Sequence, residues 1–265
     1  MDATLVFLGT GTSMGVPTLG CGCAVCTSAD PHDQRLRPSV ALRWTDREAG
    51  ERVVVIDTGP DFRQQALKAR LARVDAVFYT HGHADHVLGM DDLRPYSFAA
   101  FRRHGEPLPI YADAETTAVL QRVFDYTLSP HATYPTRAKV QLLPLAAHNL
   151  VYGVDFVHVP LLHGEMEISG FRFGDAAYLT DVSAIPESSF EPLEGANLLV
   201  LSALRHEPHP SHATVEQALQ WAGRIGARHT WLTHIAHDLG HEATNRTLPE
   251  GVRLAYDGLS VPVTL

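Results

Sequence analysis

One short segment carries three imidazoles and one carboxylate within six residues, at His81, His83, Asp85 and His86. It directly follows an apolar run that predicts a buried strand. A chain that leaves a strand in extended form directs His81 and His83 to the same side, whereas the adjacent Asp85 and His86 point apart. The segment can therefore supply two metal ions, and imidazole with carboxylate donors suits zinc, manganese or iron. The alternative is a histidine-rich polar loop that binds nothing.

Three further residues with ligand-type side chains each follow an apolar run that predicts a strand: His163, Asp181 and His234. A side chain at the carboxyl end of a strand emerges from the edge of the sheet, where a cleft commonly forms. Each of these residues alone is weak evidence, because a single polar residue after a strand is more often part of a loop. Their order along the chain is the informative feature.

The segment 81–86 resembles the H-x-H-x-D-H signature of the metallo-β-lactamase superfamily, and the resemblance extends along nearly the whole chain. It implies an α/β fold, the four-layer αβ/βα sandwich, with two catalytic metal ions. By this resemblance the first ion is held by His81, His83 and His163. The second is held by Asp85, His86 and His234, and Asp181 bridges the two ions. The resemblance also implies that Asp57 supports the ligand loop without touching a metal.

The three cysteines of the chain lie in one C-x-C-x2-C loop at about residues 20–27, as Cys21, Cys23 and Cys26. Thiolates at this spacing favour a structural zinc ion, and a closed tetrahedral site needs a fourth ligand. His237 is the candidate, because it lies one helical turn beyond His234. A redox-reactive or inert cysteine cluster is the alternative.

The signature, the cysteine loop, the later His-x2-His pair and the segment 89–96 together resemble one branch of the superfamily. That branch is the phosphodiesterase that opens phosphoribosyl 1,2-cyclic phosphate in carbon–phosphorus lyase metabolism. A pyrroloquinoline quinone biosynthesis protein carries a similar cysteine loop, so a metal-binding protein without turnover is an alternative. A tRNA 3′-processing ribonuclease shares the metal ligands and is a second alternative.

The leading hypothesis is a phosphodiesterase with two divalent metal ions, Mn²⁺ or Zn²⁺, which acts on a small cyclic or nucleotide-like phosphodiester. A hydroxide held between the ions attacks phosphorus, so no serine or cysteine nucleophile is required. Asp85 and Asp181 are the predicted catalytic carboxylates. His212, just before a predicted helix, is the candidate acid for the leaving oxygen, and His209 is the next candidate. A solvated loop histidine is the alternative for His212.

Composition limits the remaining classes. With 265 residues, 45% hydrophobic and 19% charged, the chain predicts one globular domain over residues 1–265. A net charge of −9 argues against a nucleic-acid surface. No apolar run approaches the roughly 20 residues of a membrane span. The N-terminus lacks a signal-peptide pattern and the cysteines suit a metal, so we expect a cytoplasmic protein. The family resemblance adds a possible homodimer.

Alternating apolar runs and helical periodicity predict the elements that position these residues. Strands are predicted at 4–8, 53–57, 75–79, 109–112, 140–143, 155–161, 168–173, 177–180, 198–202, 229–232, 253–256 and 260–263. Helices are predicted at 62–68, 87–98, 115–124, 214–225 and 241–246, and a loop at 126–136. The helix 214–225 has the clearest apolar face and a threonine cap.

Overall fold

The computed structural model describes residues 1–47 and 50–265. Its first six strands are β1 (Asp2–Gly9), β2 (Ser39–Asp46), β3 (Gly50–Ile56), β4 (Ala76–Phe78), β5 (Leu108–Ala112) and β6 (Val140–Pro144). The later strands are β7 (His148–Val151), β8 (Val154–His163), β9 (Met166–Phe173), β10 (Ala176–Leu179), β11 (Leu198–Ser202), β12 (His229–Thr233), β13 (Val252–Leu254) and β14 (Ser260–Thr264). They form two seven-stranded sheets, ordered β14-β1-β2-β3-β4-β5-β6 and β13-β12-β11-β10-β9-β8-β7.

The α-helices of the described chain are α1 (Phe62–Lys68), α2 (Ala84–Val87), α3 (Arg94–His104), α4 (Ala114–Val123), α5 (Asp125–Leu128), α6 (Val215–Ile225) and α7 (His241–Asn245). Short 3₁₀ turns lie at Pro31–Asp33, Met90–Leu93, Glu187–Ser189 and Glu191–Leu193. Among these described helices, none is long and apolar enough to cross a membrane.

Three apolar clusters define four layers. The central cluster joins the two sheets, with Phe78 of β4 stacked on Phe156 of β8 at 4.6 Å between ring centroids. A second cluster packs the first sheet against α1 and α4, and a third packs the other sheet against α6. The inner strands β4, β10 and β11 are buried on both faces and read as continuous apolar runs. This arrangement confirms the predicted αβ/βα sandwich.

Parallel pairing sets the position of the site. Strands β3 to β6 pair in parallel, and so do β10 to β13. Their carboxyl ends therefore lie along one edge of each sheet, which is where side chains and ligands meet in sheets of this kind. The segment 81–86 leaves β4, Asp181 follows β10 and His234 follows β12.

The structure corrects several predicted elements. The helix predicted at 87–98 is wrong, because α2 ends at Val87 and α3 begins only at Arg94. At Gly89 the chain leaves helical geometry, with φ −90° and ψ 7°, and its N–H donates to the Thr58 carbonyl at 2.8 Å instead of to a carbonyl of the preceding turn. A β-carbon there would lie 2.1 Å from the Gly59 carbonyl oxygen, so this close approach requires glycine. Helix α5 occupies part of the segment predicted as a loop.

Strands β2 and β7 were missed by the sequence analysis. Polar residues interrupt the apolar run of β2, but they have partners in the fold. The Ser39 hydroxyl donates to the Asp57 carbonyl at 2.8 Å, and Arg43 pairs with Glu51 of β3. Strand β7 forms a hairpin with β8. Because β7 has only four residues, its apolar pattern is too short to reveal a strand period.

Candidate metal centre

The predicted donors converge into two groups at the sheet edges. One group contains His81, His83 and His163, and the other contains Asp85, His86, Asp181 and His234. Within each group the ligand atoms lie within 4.8 Å of one another. All seven side chains except His83 belong to buried residues. The structure therefore brings together every residue predicted for the two catalytic ions.

Asp181 lies between the two groups. Its Oδ1 is 3.0 Å from His234 Nε2, and its Oδ2 is 3.2 Å from His86 Nε2. It also forms a third set within 4.8 Å with His163 and His212, which lie on the side of the first group. One carboxylate thus reaches donors of both groups, as a bridging ligand must.

Three site residues have left-handed backbone conformations immediately after or near the end of a strand. The φ angles are 64° at Asp57, 58° at Asp181 and 57° at His234. A residue other than glycine in this region costs on the order of 1 kcal/mol or more, so tertiary contacts must enforce it. At His234 the next residue supplies them, because Ile235 donates its N–H to the Thr10 carbonyl and accepts from Thr12. The sharp turns direct these side chains into the cleft.

Asp57 orients His86 from behind. Its Oδ2 is 2.7 Å from His86 Nδ1, and its two oxygens accept from the N–H and hydroxyl of Thr80, each at 2.8 Å. With Nδ1 fixed in this way, His86 Nε2 faces Asp85 and Asp181. A carboxylate in this position selects the tautomer of a metal-binding imidazole. The His163 ring is held similarly, because its Nδ1 donates to the Ser211 carbonyl at 2.6 Å.

Unpaired nitrogens show that the donor set fits metal ions. The Nε2 atoms of His81, His86 and His234 are buried and make no hydrogen bond of good geometry within the described chain, although those of His86 and His234 lie 3.2 Å and 3.0 Å from Asp181 oxygens. Buried polar atoms are normally satisfied, so three of them facing one cleft require an explanation. Neutral imidazole and carboxylate are the donors that zinc and manganese accept. The residues present therefore fit two divalent ions.

The charges of the site support the same view. Burial lowers the pKa of His234, but Asp181 outweighs this effect and raises it to about 9. Burial also lowers the pKa of His86. The surrounding carboxylates, with Asp181 the strongest, outweigh burial and raise the pKa of His86 well above its usual range. Burial, and then the charge of His86, lower the pKa of His81 well below the usual range of a histidine. Protons and divalent cations compete for these nitrogens, so the affinity for metal falls as the pH falls.

His212 lies at the mouth of the same cleft, two residues before the Thr214 cap of α6. Its ring stacks on His234 at 4.7 Å between centroids, and its Nδ1 is 3.8 Å from Asp181 Oδ1. Burial, and then His234, lower the pKa of His212 to about 3. His209 is farther out and contacts His212 at 4.9 Å between ring centroids.

The cysteine loop closes around His237. The Nδ1 of His237 lies 3.2 Å from the sulfur of Cys21, 3.3 Å from that of Cys23 and 3.5 Å from that of Cys26. The four ligand atoms form one group within 4.8 Å. The N–H of Cys26 is the largest of the interactions that lower the pKa of Cys23 to about 6, which favours the thiolate. Sulfur and nitrogen in this number suit a closed zinc site.

Sequence reasoning missed Arg35, which fixes the segment shared by both sites. Its fully buried guanidinium donates to the carbonyls of Ala236 at 3.0 Å and Leu239 at 2.7 Å, on either side of His237, and pairs with Asp33. Asp257 was also missed, and it accepts from the N–H and hydroxyl of Thr10, whose carbonyl accepts from Ile235 beside His234. No sequence signal identifies the contacts of Arg35 with Ala236 or of Asp257 with Thr10, because each spans more than 200 positions.

Replacement of Cys23 by serine is expected to remove the zinc of this loop. The purified wild-type chain should contain three metal ions and Cys23→Ser two, as counted by elemental analysis. Because metal binding contributes folding free energy, the melting temperature should fall. Activity per folded molecule should be unchanged, since the catalytic donors are untouched. A stable but inactive Cys23→Ser protein would instead place the cysteines in the chemistry.

Comparisons with known proteins agree with this geometry. The family described as Beta-lactamase superfamily domain matches residues 52–235. A crystal structure described as a new diphosphatase from the PhnP family is 50% identical, covers 98% of this chain and 97% of its own, and superposes with a TM-score of 0.89.

Two curated proteins are also similar. An octanoyltransferase of Porphyromonas gingivalis is 38% identical over 258 residues, which are 96% of this chain and 50% of that protein. Coenzyme PQQ synthesis protein B of Methylorubrum extorquens is 32% identical over 132 residues, which are 46% of this chain and 41% of that protein. The chain thus spans about half the length, or less, of the curated relatives it matches.

Proposed function

Because the chain belongs to the β-lactamase superfamily, and within it to the PhnP family, we propose that it is a metal-dependent hydrolase of small phosphodiesters. The observation that carries the proposal is Asp181, which lies between two groups of donors in which the buried Nε2 atoms of His81, His86 and His234 make no hydrogen bond within the described chain. Two divalent ions held there would activate water for attack on phosphorus and neutralise charge on the phosphate oxygens.

The residues of this chain have separate tasks in the proposed reaction. Asp57 and the strained turn at His234 hold imidazoles in a fixed orientation, so little reorganisation is needed when the substrate binds. His212 lies next to the donors and is placed to give a proton to the leaving oxygen. Its pKa of about 3 describes the free site, and the negative charge of a bound phosphate would raise that pKa.

The substrate we favour is a cyclic phosphodiester such as phosphoribosyl 1,2-cyclic phosphate. A diphosphate linkage is the second candidate, because the 50% identical PhnP-family structure is described as a diphosphatase. Both reactions break a P–O bond at the same centre. They differ in the leaving group, since an alkoxide needs a proton in the transition state and a phosphate group does not.

The two other hypotheses have less support. A metal-binding protein without turnover is the alternative suggested by the resemblance to the PQQ synthesis protein, but that relative matches 46% of this chain in sequence. The complete set of donors favours catalysis. A tRNA-processing activity would need a basic surface, and the chain carries a net charge of −9.

A substrate panel tests the proposal. Bis-(4-nitrophenyl) phosphate should be hydrolysed, whereas a nitrophenyl phosphomonoester, nitrocefin and a glutathione thioester should react far more slowly. Chelation should abolish the diesterase activity, and Mn²⁺ or Zn²⁺ should restore it. Faster turnover of nitrocefin or of the thioester than of every diester would refute the assignment.

A further inference from the structure

A third group of metal-type side chains lies outside both sites described above. It consists of His32, in the 3₁₀ turn Pro31–Asp33, and of His241 and Glu242, the first two residues of α7. Their ligand atoms lie within 4.8 Å of one another. We refer to these three residues as the His32 cluster. None of them has a part in the proposed phosphodiesterase reaction.

The geometry of the His32 cluster resembles that of the catalytic donors. The ring centroids of His32 and His241 are 4.6 Å apart with an interplanar angle of 49°. The corresponding values for His81 and His83, which the first ion would share, are 4.6 Å and 71°. Two imidazoles at this separation can reach one ion between them.

His241 has a buried nitrogen without a partner. The residue is 5% exposed, and its Nδ1 has no hydrogen bond within the part of the chain that the structure describes. Leaving such an atom unsatisfied is unfavourable, because burial removes its hydrogen bonds to water. Burial, and then the charges of His32 and Arg35, lower the pKa of His241. The ring is therefore neutral near pH 7, with a lone pair available to a cation.

Neighbouring groups hold the other imidazole in place. Asp30 Oδ1 accepts from the backbone N–H of His32 at 2.9 Å and lies 3.6 Å from its ring Nδ1. The Tyr256 ring packs on His32 at 4.2 Å between centroids. At the other end, the His241 backbone donates to Asp33 Oδ1 at 2.8 Å. The two histidines are thus fixed relative to each other before any ion binds.

We propose that the His32 cluster is an additional binding site for a divalent transition-metal ion such as Zn²⁺. Two imidazoles and one carboxylate are a common protein donor set for this class of ion. An ion held there would join the turn at Pro31–Asp33 to α7 and so tie down the segment that carries Arg35. Because Glu242 is exposed and His32 is only half-buried, the site should exchange zinc more readily than the cysteine loop.

Equilibrium dialysis against buffered free zinc tests this proposal. The protein is first saturated with zinc, desalted and assayed for its residual metal, and the additional zinc bound per chain is then measured. We expect one further zinc per wild-type chain, and its loss in both His32→Ala and Glu242→Gln. His206→Ala is the matched control, because His206 and Glu216 form an exposed pair at 2.7 Å and belong to no metal-type group among the described residues. This control should keep the additional zinc.

Two outcomes would overturn the proposal. In the first, the wild-type chain binds no additional zinc. In the second, both variants keep the additional zinc, and the rings of His32, His241 and Tyr256 then form only an aromatic cluster. If His32→Ala is destabilised, as judged by its melting temperature, the exposed Glu242→Gln variant decides the question. Anomalous scattering from a zinc-soaked crystal gives an independent reading, with a peak expected between His32 and His241.

Discussion

Replacement of Asp181 by alanine should abolish diester hydrolysis, with kcat reduced by about 10³-fold or more. The carboxylate contacts His86 and His234 and lies within reach of His163, so its loss removes a carboxylate that reaches donors of both predicted metal groups. Metal stabilisation of the transition state contributes several kcal/mol, and each 1.36 kcal/mol corresponds to a tenfold change in rate. Steady-state kinetics with bis-(4-nitrophenyl) phosphate measure the effect.

The matched control is Asp155→Ala, which removes an exposed carboxylate that pairs with the exposed His148. This variant should retain wild-type activity. Elemental analysis of Asp181→Ala should show fewer than the wild-type number of ions, while the cysteine loop keeps its zinc. If Asp181→Ala lost less than tenfold in kcat and kept all its metal, Asp181 would not bridge the ions.

Replacement of His212 by alanine should separate substrates by their leaving groups. Opening of a ribose cyclic phosphate expels an alkoxide, which needs a proton in the transition state, and its rate should fall by on the order of 10²–10⁴-fold. A nitrophenolate departs without a proton, so hydrolysis of the nitrophenyl diester should fall much less. A diphosphate substrate should behave like the nitrophenyl diester, because phosphate is also a good leaving group.

The control for this prediction is His206→Ala in the same loop, whose imidazole pairs with Glu216 at the surface. It should not change either rate. Equal losses on all substrates in His212→Ala would mean that His212 binds phosphate or shapes the cleft. His209, which packs against His212, would then be the next residue to test.

Strands were predictable where both faces are buried. Strand β11 and helix α1 begin and end where the apolar pattern predicts. The pattern failed where a distant contact decided the structure. The helix predicted at 87–98 is interrupted at Gly89, whose N–H donates to the Thr58 carbonyl, and the polar residues of β2 are satisfied by partners on β3 and at Asp57.

The sequence by itself determined the types of donor and their place at strand ends. The H-x-H-x-D-H segment and the C-x-C-x2-C loop are local patterns, and local spacing fixes which side chains can face the same way. The roles of these residues as metal ligands stay predictions. The resemblance to the superfamily implied that the donor side chains lie close together, and the structure places them so.

Only the tertiary structure decided which distant groups hold the donors in place. Cys21 and His237 are 216 residues apart, and Arg35 reaches Ala236 over 201 residues. The left-handed turns at Asp57, Asp181 and His234, and the contact of His32 with His241, likewise have no local signature. The physical reason is that closing such long loops costs entropy, which only the packing of the two sheets and their helices offsets. A sequence pattern specifies the donors, whereas that packing specifies their partners.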